Sequence, residues 1–208
     1  MASSAPQRAF PIAFILLAWA ATVVVASASG FLYLLPGPAI AGLVALGVSI
    51  PAIAYFRSPA LQHRAERFGL RIITLFHAWR IVAALLFFHF GAQGLLPERF
   101  VLHAAWGDLI AGFAALLVVA LPFSRSRYWA MHLFGMADFL LAVGTGLYFT
   151  LVASAEMDAI RELPLALIPL FGVALSGASH LIAFDLLRRG RGLPDQPFAS
   201  ITSAAREK

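Results

Sequence analysis

The chain has 208 residues, 61% of them hydrophobic and only 12% charged, with a mean hydropathy of +0.86 and a formal net charge of +5. Soluble domains carry about twice that charged share, so the composition excludes an ordinary water-facing globule. With no cysteine there are no disulfides, thiolate metal sites, iron–sulfur clusters or thiol nucleophiles, and no phosphate-binding loop, dinucleotide fingerprint or Gly-x-Ser-x-Gly elbow occurs.

Measured against the roughly 20 residues that cross a hydrocarbon core, six apolar runs stand out. They lie near 11–30, 38–56, 70–90, 101–121, 129–152 and 164–187. The fold expected is therefore all-α: a polytopic membrane helical bundle of about six transmembrane helices filling residues 1–187. Arg8, the apolar stretch from Phe10 to Val25 and the triplet Ala26-Ser27-Ala28 imitate a cleavable signal peptide. The run is long for a signal, and the other five spans keep their orientation whether or not it is removed. Pro36, Gly37 and Pro38 mark a tight turn into the second span, and Pro51 predicts a kink within it.

Lys and Arg fix the orientation. Arg8, then Arg57, Arg64, Arg67 and Arg71, then Arg125 and Arg127, then Arg188, Arg189, Arg191, Arg206 and Lys208 make 12 of the 15 cations, and all fall on alternate connections or the tails. The other connections hold Arg99 and Arg161, the latter among Glu156, Asp158 and Glu162. The positive-inside bias therefore predicts both termini in the cytoplasm. Residues 188–208 turn to Arg, Gly, Pro and Ser and read as a disordered cytoplasmic tail. The partner implied is the lipid bilayer, with a homo-oligomer or a membrane-complex partner as the further expectation. The basic charge is spent on orientation, so nucleic acid is not expected.

Ionisable side chains inside membrane spans face the bundle interior or a water-filled cavity and are functional candidates by default. Arg80 lies in the third span, Asp108 in the fourth and Asp138 in the fifth. At about 1.5 Å of rise per residue all three reach a similar level near the membrane middle. Thr74, His77, Arg80 and Ala84 share one helical face, as do Ala104, Asp108, Ala111 and Ala115, and Gly135, Asp138, Ala142 and Thr145. Small residues on each stripe let the helices close around an Arg80, Asp108, Asp138 cluster. One guanidinium facing two carboxylates leaves an excess negative charge, which makes the cluster a candidate proton site. The spacing does not assign the proton to either aspartate.

The histidines carry a second reading. His77 and His180 fall at similar depths in the inner half, His132 closer to the surface, and His89 and His103 flank the external connection. Paired histidines on neighbouring helices are the axial ligands of b-type haem in membrane cytochromes, so His77 with His180 and His89 with His103 are the pairs expected if haem is bound. Twelve residues separate His77 from His89, which turns them about 120° apart around the helix and opposes two haems stacked on one face. His77, His132 and His180 with a carboxylate could also serve a zinc-like ion. No His-x-x-x-His or His-Glu-x-x-His element supports that, and no metal or cofactor is expected from motifs. Ser176, Gly177 and Ser179 near His180 read as a packing face, and Asp185 beside Arg188 and Arg189 as an interfacial charge pair.

From Arg80 through Gly94-Leu95-Leu96-Pro97 to Gly107-Asp108 the chain resembles uncharacterised bacterial multi-pass membrane proteins that carry Arg, then Gly-x-x-Pro, then Gly-Asp. The resemblance implies a bacterial inner membrane and brings no activity or ligand. Three functional expectations stand: a small proton-coupled carrier or channel-like protein built on Arg80, Asp108, Asp138, His77 and His180; a haem-binding redox subunit; and a structural or assembly protein. An enzymatic role is the lesser expectation, since no catalytic residue set is recognisable.

Overall fold

The computed structural model describes residues 12–152 and 155–194. Among the described residues the chain is all helical: α1 (Ile12–Ala28), α2 (Gly37–Arg57), α3 (Pro59–Phe76), α4 (Arg80–Ala92), α5 (Glu98–Ala120), α6 (Arg125–Leu151) and α7 (Ala174–Arg189). Five helical stretches are long and apolar enough to cross a membrane, namely α2, α3 continued into α4, α5, α6, and α7 with the turn before it; α1 is apolar but has 17 described residues. Large apolar side chains such as Leu17, Val25, Leu46, Ile50, Val82, Leu102, Leu117 and Leu140 point outward. Lipid can solvate such a surface and water cannot.

Local chemistry explains the boundaries. Ser58 caps α3 by accepting a hydrogen bond from the Leu61 amide at 3.3 Å, and Pro59 occupies the first turn, where its missing N–H costs nothing. The Arg-rich joint after Arg57, read from sequence as a connection, is therefore helical. It bends at Gly69, whose φ of 79° and ψ of 154° belong to a region open essentially to glycine alone. The bend would orphan a backbone donor, and the Leu70 amide instead donates to the Gly192 carbonyl at 2.8 Å.

That bond ties the start of a membrane-length helix to the segment beyond α7. Arg188 to Pro194, assigned from sequence to the tail, thus begin with the last turn of α7 and then lie along α3; Gly192 packs against Glu66. Residues 195–208 lie outside the described residues, as do Arg8 and Phe10.

Two irregularities sit opposite each other in the bundle. Between α3 and α4 the helix tightens to a 3-10 turn over His77–Trp79, and before α7 it widens to a π turn over Ile168–Val173. Such departures from α geometry gather where a helix must be re-aimed around a site. Their meeting point is Gly172, where any Cβ would collide with the Trp79 ring. Trp79 is fixed there by donating its Nε1–H to Ser176 Oγ at 3.0 Å.

Elsewhere small residues set the helix spacing, as expected when dispersion rather than water exclusion joins helices. Gly112 accepts Ile81, Gly91 accepts Val101, and Gly47 faces the Ala174 Cβ. The first helix is more peripheral, with Trp19 edge-on to Phe171 at 5.3 Å.

Candidate functional site

The side chains least compatible with lipid converge. Arg80 opens α4 directly after the 3-10 turn and is 3% exposed; Asp108 on α5 and Asp138 on α6 are 5% and 7% exposed. Arg80 Nε donates to Asp108 Oδ1 at 2.6 Å, Nη2 pairs with Asp138 Oδ2, and Nη1 reaches the Gly135 carbonyl at 3.4 Å. One guanidinium thus joins three helices, as the sequence spacing anticipates. Gly107 makes the approach of α5 to α6 possible, since a Cβ there would run into the Asp138 carboxylate.

A largely apolar cavity of about 340 Å³ ends on two members of this triad, Arg80 and Asp108. Arg80, Asp108, Trp79 and Ser176 are among its polar lining, and Val44, Phe87, Phe100, Phe139 and Met157 among its apolar lining. It reaches Thr150 and Ile160, so it extends from the triad toward the end of the bundle opposite the arginine-rich one. Sequence periodicity does not reveal it, because its walls come from six separate segments whose residues would otherwise count as core.

On the arginine-rich side of the triad lie three fully buried histidines. His77, His132 and His180 are each 0% exposed, and one ring nitrogen from each lies within 4.8 Å of the others. His132 Nδ1 is 3.0 Å from His180 Nδ1, and the His77 and His180 rings stack with centroids 4.0 Å apart and planes 24° from parallel. The shallower depth expected for His132 is corrected: the tight turn at His77 and the packing of α6 on α7 bring it to the other two.

Hydrogen bonds fix the tautomers. The Thr74 hydroxyl donates to the Leu70 carbonyl at 2.8 Å, so its oxygen accepts from His132 Nε2 at 3.0 Å. His132 Nδ1 is then a bare acceptor, and His180 Nδ1–H donates to it, which leaves His180 Nε2 bare. In the same way Ser179 donates to the Ser176 carbonyl at 2.9 Å and accepts from His77 Nε2 at 3.1 Å, leaving His77 Nδ1 bare. Those two bare nitrogens, His77 Nδ1 and His180 Nε2, are buried without any hydrogen-bond partner.

The second histidine pair from the sequence is not assembled in this way. His89 is exposed and contacts Gln93 at 2.8 Å, while His103 turns toward Thr145 on α6 at 3.3 Å. Stacked rings 4.0 Å apart also leave no gap for a porphyrin plane between His77 and His180.

A cluster that the charge pattern gives only in part closes the arginine-rich end. Asp185 pairs with Arg189 at 2.6 Å and with Arg188 at 3.5 Å, and it accepts from the Tyr55 hydroxyl at 2.7 Å. Arg189 also donates to Tyr55 Oη at 2.8 Å and pairs with Glu66 at 2.9 Å. Tyr55 and Glu66 carry no sequence signal beyond a polar tip at the end of an apolar span and an acid in a basic joint.

At the other end Tyr33 donates to Glu162 Oε1 at 2.5 Å, and that carboxylate is the main reason the Tyr33 hydroxyl is pushed up to about 12. No curated protein and no solved structure matches the chain. A family model described as a domain of unknown function, DUF8737, matches residues 37–188, which hold α2 through all but the last residue of α7 and every residue of the triad and the histidine cluster, and the chain belongs to that family.

Proposed function

We propose that this chain is a six-span protein of the bacterial inner membrane, with both termini in the cytoplasm, that binds a small amphiphilic organic anion and couples its passage to a proton. The observation that carries the reading is the apolar cavity ending on Arg80 and Asp108. Apolar walls with a few convergent polar groups at one end are the usual make-up of a small-molecule site, and about 300 Å³ is enough for one.

The arginine-rich end, holding Arg57, Arg64, Arg67, Arg71, Arg125, Arg127, Arg188, Arg189 and Arg191, supports the orientation. The 3-10 and π turns flanking the cavity support a carrier, because broken helices near mid-membrane are where carriers build substrate sites.

The coupling follows from charge. Arg80 faces two carboxylates, so the unliganded triad carries one excess negative charge. One proton on Asp108 neutralises it and loosens the Arg80 edge toward the cavity, where an anionic head can take the place of the carboxylate. Anion and proton then enter together, and the buried charge count does not change.

Octanesulfonate is a suitable probe because its head stays ionised and the anion crosses bilayers poorly. With purified protein in weakly buffered detergent and a pH dye, its binding is expected to draw about one proton from solution per anion bound. Asp108→Asn is expected to bind the anion without proton uptake, and Arg80→Gln to bind it at least about tenfold more weakly. Binding with no proton uptake by the wild type, or unchanged uptake by Asp108→Asn, overturns the coupling.

A further inference from the structure

We infer that His77, His132 and His180 form a binding site for one late first-row transition-metal ion of the Zn²⁺ or Cu²⁺ kind. The three imidazoles come from the turn between α3 and α4, from α6 and from α7, are 0% exposed, and place a ring nitrogen each within 4.8 Å of the other two. Proximity alone would be consistent with a packed hydrogen-bonded trio. What points to a ligand is the bare His77 Nδ1, buried with no partner in a ring stacked on His180, while the equally unpartnered His180 Nε2 is the position that can take that ring's proton when its Nδ1 turns to an ion. A lone pair left unused in a low-dielectric interior is costly, and side chains that merely needed satisfaction would have been supplied with a donor.

The outer contacts match those of metal ligands. A ligating histidine ordinarily donates its other ring N–H to a fixed oxygen, which sets tautomer and ring orientation. His77 does so to Ser179 and His132 to Thr74, and each hydroxyl is pinned by its own bond to a backbone carbonyl. His77 and His132 are thereby both presented through Nδ1.

The third ligand follows from a proton shift within one ring. Moving the His180 proton from Nδ1 to Nε2 frees Nδ1, which already lies 3.0 Å from His132 Nδ1. Two ligands at about 2.0–2.1 Å in tetrahedral array stand roughly 3.3–3.4 Å apart, so that pair needs only a small separation. His77 and His180 are stacked and must swing apart for their lone pairs to meet at one ion.

Three imidazoles with no thiolate select for the end of the series where nitrogen donors bind best. The charge of the neighbourhood agrees. The Gly135 carbonyl accepts from Arg80 Nη1 and the His180 ring packs against the same glycine, so the ion would sit near a triad carrying an excess negative charge. The site lies outside the cavity lining and does not depend on the organic-anion reading.

Tag-free protein stripped with a chelator and titrated with Co²⁺ reads the site directly. Expected are about one cobalt per chain, the intense visible bands of a four-coordinate ion, and displacement of those bands by Zn²⁺. His132→Gln is expected to lose the bands, while His89→Ala and His103→Ala keep them. Since a ligand variant can misfold, Thr74→Val and Ser179→Ala leave every ligand in place and are expected to weaken Co²⁺ binding about 10- to 100-fold. Helical circular dichroism and a single size-exclusion peak in detergent report whether each preparation is folded, which keeps failure here separate from failure of the anion site. No cobalt bands in folded wild type, or bands that survive in folded His132→Gln, overturns the assignment in favour of a metal-free imidazole cluster.

Discussion

Replacing Arg80 with Met keeps an unbranched apolar stem and removes the guanidinium that joins Asp108 to Asp138. Two forces set the outcome. An interhelical hydrogen bond in a membrane protein contributes only about 0.6 kcal/mol on average, because the unfolded chain in the bilayer finds other partners. Stripping one partner from a buried ion pair costs about 3–5 kcal/mol, since an uncompensated charge remains. With both carboxylates no more than 7% exposed the second term wins, and Arg80→Met is expected to lose about 3 kcal/mol or more, at least two orders of magnitude in the folding equilibrium.

Adding Asp108→Asn and Asp138→Asn to Arg80→Met removes every charge of the triad and is expected to recover most of the loss. Denaturation by dodecyl sulfate in mixed micelles, followed by the fluorescence of the four tryptophans, measures both variants. A loss under about 1 kcal/mol for Arg80→Met, or a triple variant as unstable as the single one, would refute the claim that uncompensated charge governs this site.

Gly172→Ala forces a methyl into the Trp79 ring and Gly107→Ala forces one into the Asp138 carboxylate, and each is expected to cost about 1–3 kcal/mol in the same unfolding assay. Gly144→Ala meets no atom within 4 Å and is expected to stay within about 0.5 kcal/mol of wild type. Tyr55→Phe removes the hydroxyl that joins Asp185 to Arg189 and is expected to cost about 1.5–3 kcal/mol; an unchanged midpoint would mean that water replaces it freely. Gly69→Ala imposes a side chain at a φ of 79° and is expected to cost about 1–3 kcal/mol, with faster amide exchange at Leu70 as the local signature.

Hydrophobic run length and the placement of arginine are local quantities, and they located five membrane-length helices, four of them to within a few residues of their observed ends; the third, expected near 70–90, starts at Pro59 because the arginine-rich joint is itself helical. Helical spacing is also local. It put Thr74, His77, Arg80 and Ala84 on one stripe, and all four are buried. The Arg80, Asp108, Asp138 triad was legible for the same reason: a charge on a stripe of small residues in an apolar helix has nowhere to go but inward, toward another of its kind.

What periodicity cannot carry is rotation and level between helices when the helix itself changes pitch. The 3-10 turn at His77–Trp79, the π turn at Ile168–Val173 and the bend at Gly69 each re-aim the side chains beyond them, and none has a sequence signature as plain as a run of leucines. Those three irregularities decided that His132 would meet His77 and His180, that Trp79 would wall a cavity against Gly172, and that Gly192 would fold back on α3. The sequence by itself determined that this chain belongs in lipid and which charges it must hide there. Only tertiary packing decided what those charges face, because a cavity and a three-helix cluster exist in the distances between segments and in no one of them.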